Sequence, residues 1–181
     1  MNIPAHVALW FLPFVLPICL YVVLVDLRHM LIKNHAVITL FAVFVVGGLF
    51  ALPPWSTEWT TATVGSWTIS LPPYLWHLLH AVPVLIIGIL FNAIGALGGG
   101  DAKFLAAASP FVWPGDYLLV LLILTTMNVA ALVAHRLARA TALRNFAPDW
   151  ESWEKTRHIP MGLSLSGSLV VYLILGIVYG S

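Results

Sequence analysis

Five stretches of the chain, 7–25, 36–52, 77–97, 117–134 and 163–179, contain no Asp, Glu, Lys or Arg and consist almost wholly of apolar residues. Each approaches the roughly 20 residues that carry a helix across the hydrocarbon core of a bilayer. Lipid offers no water to backbone N–H and C=O groups, so such segments must satisfy them internally, as helices. With 61% hydrophobic and 8% charged residues among 181, a soluble globule is excluded. The expected fold class is all-α, a polytopic membrane helix bundle in a single domain, 1–181.

A sixth apolar run, Phe104 to Val112, is short for a crossing, and charge decides how to read it. If it crosses, Arg28, Lys33, Lys103, Arg136, Arg139, Arg144, Lys155 and Arg157 all fall on one side, leaving only Glu58 and Asp116 on the other. The positive-inside rule then puts the basic side in the cytoplasm and both termini outside. With five crossings, five of those basic residues would move outside. Six transmembrane helices are therefore expected, with a kink at Ser109-Pro110 and local thinning or interfacial Trp113 and Pro114 easing the short span.

The outer loop from Pro53 to Trp76 holds four Trp, one Tyr and four Pro, a composition suited to an interfacial cap. On the inner side, Leu143, Phe146, Trp150 and Trp153 stand at near-helical spacing among basic residues and predict a surface helix broken near Pro148. Gly162, Ser164, Ser166, Gly167 and Ser168 give the last span a small-residue face for close helix approach. The N-terminus lacks the basic region and cleavage pattern of a secretory signal, so the first segment is expected to be retained. Lone Cys19 reads as a small core residue and excludes an intrachain disulfide. No basic, aromatic-interleaved patch supports nucleic-acid binding. His6, His77 and His80 read as interfacial rather than metal-binding, and no metal site is expected.

Two acids stand out against this background. Asp26 closes the first apolar run, and Asp101 follows Gly98-Gly99-Gly100 at the end of the third. A carboxylate at a membrane boundary costs up to roughly 3 kcal/mol on insertion scales, so it reads as functional. In the six-span topology both face the same compartment. A pair of carboxyls sharing a proton supplies one ionised base and one protonated acid. Three consecutive glycines permit positive φ and let another backbone approach without a Cβ clash. The same broken run would also suit a small transporter with Asp101 as a proton or cation site. A non-enzymatic assembly subunit is a further alternative, in which the dyad would be superfluous.

These residues resemble the type IV prepilin peptidases, the Gly-x-Gly-Asp aspartyl proteases of the membrane. Asp26-Leu27-Arg28-His29-Met30-Leu31-Ile32-Lys33-Asn34 is similar to the family's Asp-x-Arg followed by Ile-Pro-Asn, with Lys33 in place of proline. Gly98-Gly99-Gly100-Asp101-Ala102-Lys103 matches the Gly-x-Gly-Asp-x-Lys segment closely, and His158-Ile159-Pro160-Met161-Gly162 resembles an Ile-Pro-x-Gly stretch before the last helix. The resemblance implies an aspartic endopeptidase of the cytoplasmic (inner) membrane. Its partners would be the bilayer and a prepilin, whose leader it cuts at the cytoplasmic face just before an apolar helix. It further implies Asp26 and Asp101 as the catalytic pair and no cofactor. The chain looks like the short, peptidase-only branch associated with Flp or tight-adherence pili, without methyl transfer.

Around the pair, Gly98, Gly99, Gly100, Lys103, Arg28 and Asn34 are the candidate supporting or substrate-binding residues. Arg28 and Lys103 are placed to hold the charge of the dyad or to meet substrate carbonyls. Asn34 precedes an apolar run and is expected to N-cap the second helix. Asn92, inside the third span, is expected to bond to another helix.

Overall fold

A computed structural model describes residues 1–55, 59–64, 67–154 and 160–181. It contains α1 (Ala5–His29), α2 (Asn34–Ala51), a hairpin of β1 (Thr60–Val64) and β2 (Trp67–Leu71), α3 (Pro73–Leu79), α4 (Ala81–Ala93), α5 (Gly99–Ala108), α6 (Tyr117–Ala140) and α7 (Met161–Tyr179). Five stretches are long and apolar enough to span a membrane, with α3 and α4 counted as one. Large apolar side chains cover their outer faces, among them Ile38, Phe50, Ile94 and Leu118. The fold is an all-α polytopic bundle.

The third span runs from Pro73 to Ala93, displaced from the expected 77–97. Pro73 starts it, because its fixed φ and missing N–H suit the first helical turn. Gly95 ends it, turning the chain at φ +74. Pro83 cannot donate to the carbonyl of Leu79, which accounts for the junction between α3 and α4.

At 10 residues, α5 is about 15 Å long and falls short of a hydrocarbon core by itself. A 3₁₀ turn, Ser109–Phe111, prolongs it, so the expected kink at Ser109-Pro110 is instead the point where the α-helix ends. Together they run antiparallel beside the third span. A Cβ on Gly99 would lie 3.7 Å from Asn92 Nδ2, and one on Gly88 would meet Ala102 Cβ at 2.8 Å. At the far end Pro110 O accepts from or faces His77 Nδ1 at 2.8 Å.

Packing is densest between α1 and α7. The small-residue face is real: Ser164, Ser166 and Ser168 are buried, and a Cβ on Gly176 would meet Ile3 Cγ2 at 2.8 Å and Ala8 Cβ at 3.0 Å. Cys19 is buried as a free thiol. One end of the core is aromatic, with Phe11 and Phe44 stacked at 5.5 Å and Phe111 edge-on to both.

One loop gains structure that composition leaves open, and one departs from expectation. In the segment expected as an interfacial cap, an antiparallel hairpin pairs Thr60 with Leu71, and Trp76 Nε1 donates to Thr60 O at 2.8 Å. Its Thr, Val, Ile and Trp content favours strand over helix. Glu58 lies outside the described residues. The inner loop is not a surface helix: α6 continues to Ala140 and gives way to 3₁₀ turns at Ala142–Phe146 and Glu151–Trp153. Trp153 is buried, stacked on His135 at 4.8 Å and on Trp150 at 5.5 Å, whereas Phe146 is exposed. Trp153 thereby docks this loop on α6 through His135. Of Leu143 only the backbone is described, and Lys155, Arg157, His158 and Ile159 lie outside the described residues.

Candidate active site

Chain order brings Asp26 and Asp101 to the same end of the bundle. Asp26 occupies the last turn of α1, and Asp101 the first turn of α5. The two carboxyls line one cavity of about 610 Å³, together with Met30, Ile32, Gly98, Gly99, Gly100, Asn128 and Met161. The described basic residues gather at this end: Arg28 sits in the last turn of α1, Lys33 precedes α2, Lys103 lies two residues after Asp101, and Arg136 and Arg139 sit in the last turns of α6.

Asp26 is 5% exposed, and its Oδ2 accepts the Gly162 N–H at 2.7 Å. Gly162 is the second residue of α7, so the N-terminal end of that helix meets the carboxylate. A side chain at this position is excluded: a Cβ on Gly162 would lie 2.8 Å from Asp26 Cβ and 3.0 Å from Oδ2. In the sequence, Gly162 is visible only as part of the packing face and of the Ile-Pro-x-Gly stretch. Its contact with Asp26 joins residues 136 positions apart.

Asp101 is half-buried and accepts the backbone N–H of Gly98. It is the third residue of α5, with Gly98 as N-cap, so the acid reaches back over the first turn as in one half of a capping box. The glycines act through close approach rather than positive φ, since only Gly95 and Gly115 have positive φ among the described glycines. A Cβ on Gly98 would meet Asp101 Oδ2 at 2.5 Å, and one on Gly100 would press on Ile32, with Cβ at 3.2 Å and backbone N at 3.5 Å. Gly99 faces Asn92 at ordinary contact distance.

The remaining candidates take other roles in the structure. Lys103 Nζ donates to Asn34 Oδ1 at 3.1 Å, joining the start of α5 to the start of α2. Asn34 is thus the first residue of α2 and no cap; Lys33 holds the N-cap position, without a side-chain cap bond. Arg28 is exposed, and among the described residues neither it nor Lys103 is ion-paired with Asp26 or Asp101. Asn92 Nδ2 donates to Leu97 O at 2.8 Å, so it ties down its own helix break instead of reaching another helix. Met30, which ends α1 beside the cavity, has φ 53, a left-handed conformation that is costly for a side chain with a Cβ.

Among the described residues no three His, Cys, Asp or Glu side chains converge as metal ligands. His77 Nδ1 is engaged by Pro110 O and His80 Nε2 by the Tyr117 hydroxyl, at the end of the bundle remote from the two acids.

A model of the type IV leader peptidase family matches residues 13–134, two-thirds of the chain and both acids with it. Among curated proteins and among solved structures, nothing matches.

Proposed function

The chain belongs to the type IV leader peptidase family, and on that premise we propose that it is an aspartic endopeptidase removing prepilin leaders through Asp26 and Asp101. The observation that carries the mechanism is that both acids, far apart in sequence, line one cavity. Sharing one proton, the ionised carboxyl takes a proton from water while the water oxygen bonds to the amide carbon. The protonated carboxyl polarises the carbonyl oxygen. On collapse the C–N bond breaks, and the nitrogen takes a proton from the pair to leave as an amine. Water is consumed, the proton on the pair is restored, and no cofactor enters the balance.

The proposed topology has six crossings, with α5 and its 3₁₀ extension as the fourth, both termini outside and the acids at the cytoplasmic face of the inner membrane. The basic residues gathered around the acids support that sidedness. The helix break falls next to Lys103 at this charged end, whereas a carrier built around a broken helix would place it near mid-membrane. Asp101, Gly98 and Gly100, with their neighbours Gly99 and Lys103, shape the substrate wall; Arg28 and Asn34 border it. We assign its substrates to the Flp-type prepilins.

The test is co-expression with a prepilin in cells lacking their own leader peptidase. Wild type should shorten the prepilin on a gel, while Asp26→Asn and Asp101→Asn, present at normal levels, should leave it uncut. Processing by both variants would overturn the mechanism.

A further inference from the structure

α6 carries three polar side chains in its apolar middle, and they are not alike. The hydroxyls of Thr125 and Thr126 donate to the carbonyls of Leu121 and Leu122, each at 2.8 Å, and so are satisfied within their own helix. Asn128 instead reaches α7, where its Oδ1 accepts from Ser164 Oγ at 2.8 Å. Ser164 is fully buried, lies 3.0 Å from Met161 O, and is held in turn by Ser168 Oγ, which donates to Ser164 O at 2.6 Å. One half of the Asn128 carboxamide is therefore pinned to a rigid, buried serine. The other half, the Nδ2 amine with its two protons, has no partner among the described residues, and Asn128 lines the cavity that holds Asp26 and Asp101.

We infer that Asn128 is a substrate-binding residue whose Nδ2 donates to a backbone carbonyl of the peptide held against the two acids. The inference rests on the peptidase reading of the cavity and deepens it. An extended peptide presents carbonyl acceptors, for which the ionised carboxyl offers no donor. A neutral amide donor supplies what the carboxyls lack without adding a charge that would disturb their shared proton. It comes from α6, a different wall from α1 and α5, so the peptide would be held from two sides. Ser164 fixes the orientation of the amide in advance, which limits the ordering cost on binding.

The experiment uses purified full-length chain in detergent micelles and a peptide spanning a prepilin cleavage junction. Asn128→Ala should lower kcat/KM about 10- to 100-fold, and Asn128→Asp, which replaces the donor with an acceptor, at least as much. Ser164→Ala, which frees the amide but keeps its donor, should cost only about 3-fold. In the inactive Asp101→Asn background, Asn128→Ala should weaken peptide binding about 10-fold, a readout that loss of turnover cannot mimic. If wild type cuts the peptide while Asn128→Ala and Asn128→Asp cut and bind it normally, the role of Asn128 is refuted and the peptidase reading stands. If wild type itself fails to cut, the peptidase reading fails and this inference with it.

Discussion

The bundle buries carboxylates at both ends, and the two sites are built in opposite ways. At one end Asp116, 3% exposed, is saturated. Its oxygens accept from the Asn2 backbone N–H at 2.9 and 3.1 Å, from Asn2 Nδ2 at 3.2 Å, from the Ile3 N–H at 3.2 Å and from the Tyr172 hydroxyl at 2.9 Å. At the other end, among the described residues, Asp26 has a single donor, Gly162, and Asp101 has the N–H of its own N-cap, and both line the cavity. Burial alone does not distinguish a structural acid from a chemical one. The difference lies in lone pairs that no described residue meets with a donor, beside a cavity able to admit water and substrate.

The sharpest way to break this contrast is to exchange its consequences. Asp26→Asn or Asp101→Asn should reduce leader cleavage by about 1,000-fold or more while leaving thermal unfolding in detergent nearly unchanged. Asp116→Ala should do the reverse, costing about 3–5 kcal/mol of stability because several donors lose their acceptor at once. Cleavage per folded molecule should hold. If Asp116→Ala unfolds like wild type, the saturated site is not the structural anchor described.

Gly162→Ala probes the open end more finely. The added methyl must push against Asp26, and a displacement approaching 1 Å should lower turnover by about 100-fold, measured as kcat at saturating peptide. Tyr172→Phe deletes one donor to Asp116 and should lower stability by about 1.5–3 kcal/mol without altering kcat. The smallest effect is expected for Met30→Gly. Relieving a left-handed residue should raise stability by about 1 kcal/mol, read from the unfolding midpoint, and a fall there would show that the Met30 side chain packs more usefully than its backbone is strained.

The same contrast bears on what could be read from residue order alone. Asp101 with its glycines was legible because a helix start is a local event, written in consecutive residues. The apolar spans were legible for the same reason. Asp116 was counted only as a charge outside the basic cluster, since its partners lie at positions 2, 3 and 172 and no local pattern joins them. Asn128 went unnoticed because a lone Asn in an apolar run does not reveal which wall of the bundle it faces. Asn34 was misread as a cap, since the same residue type serves equally well as an acceptor for Lys103. The hairpin at Thr60–Leu71 was missed because proline and tryptophan content speaks to location at an interface, while strand pairing depends on the alternation between them.

α7 is fastened twice: Gly162 to Asp26 near its start and Tyr172 to Asp116 further along, about 15 Å apart on the helix axis. A rod fixed at two heights can neither roll about its long axis nor slide past its neighbour. The direction from which the Gly162 amide meets Asp26 is thus set in part by a tether further along the same helix, and changes in lipid thickness should leave that angle alone until the tether is cut.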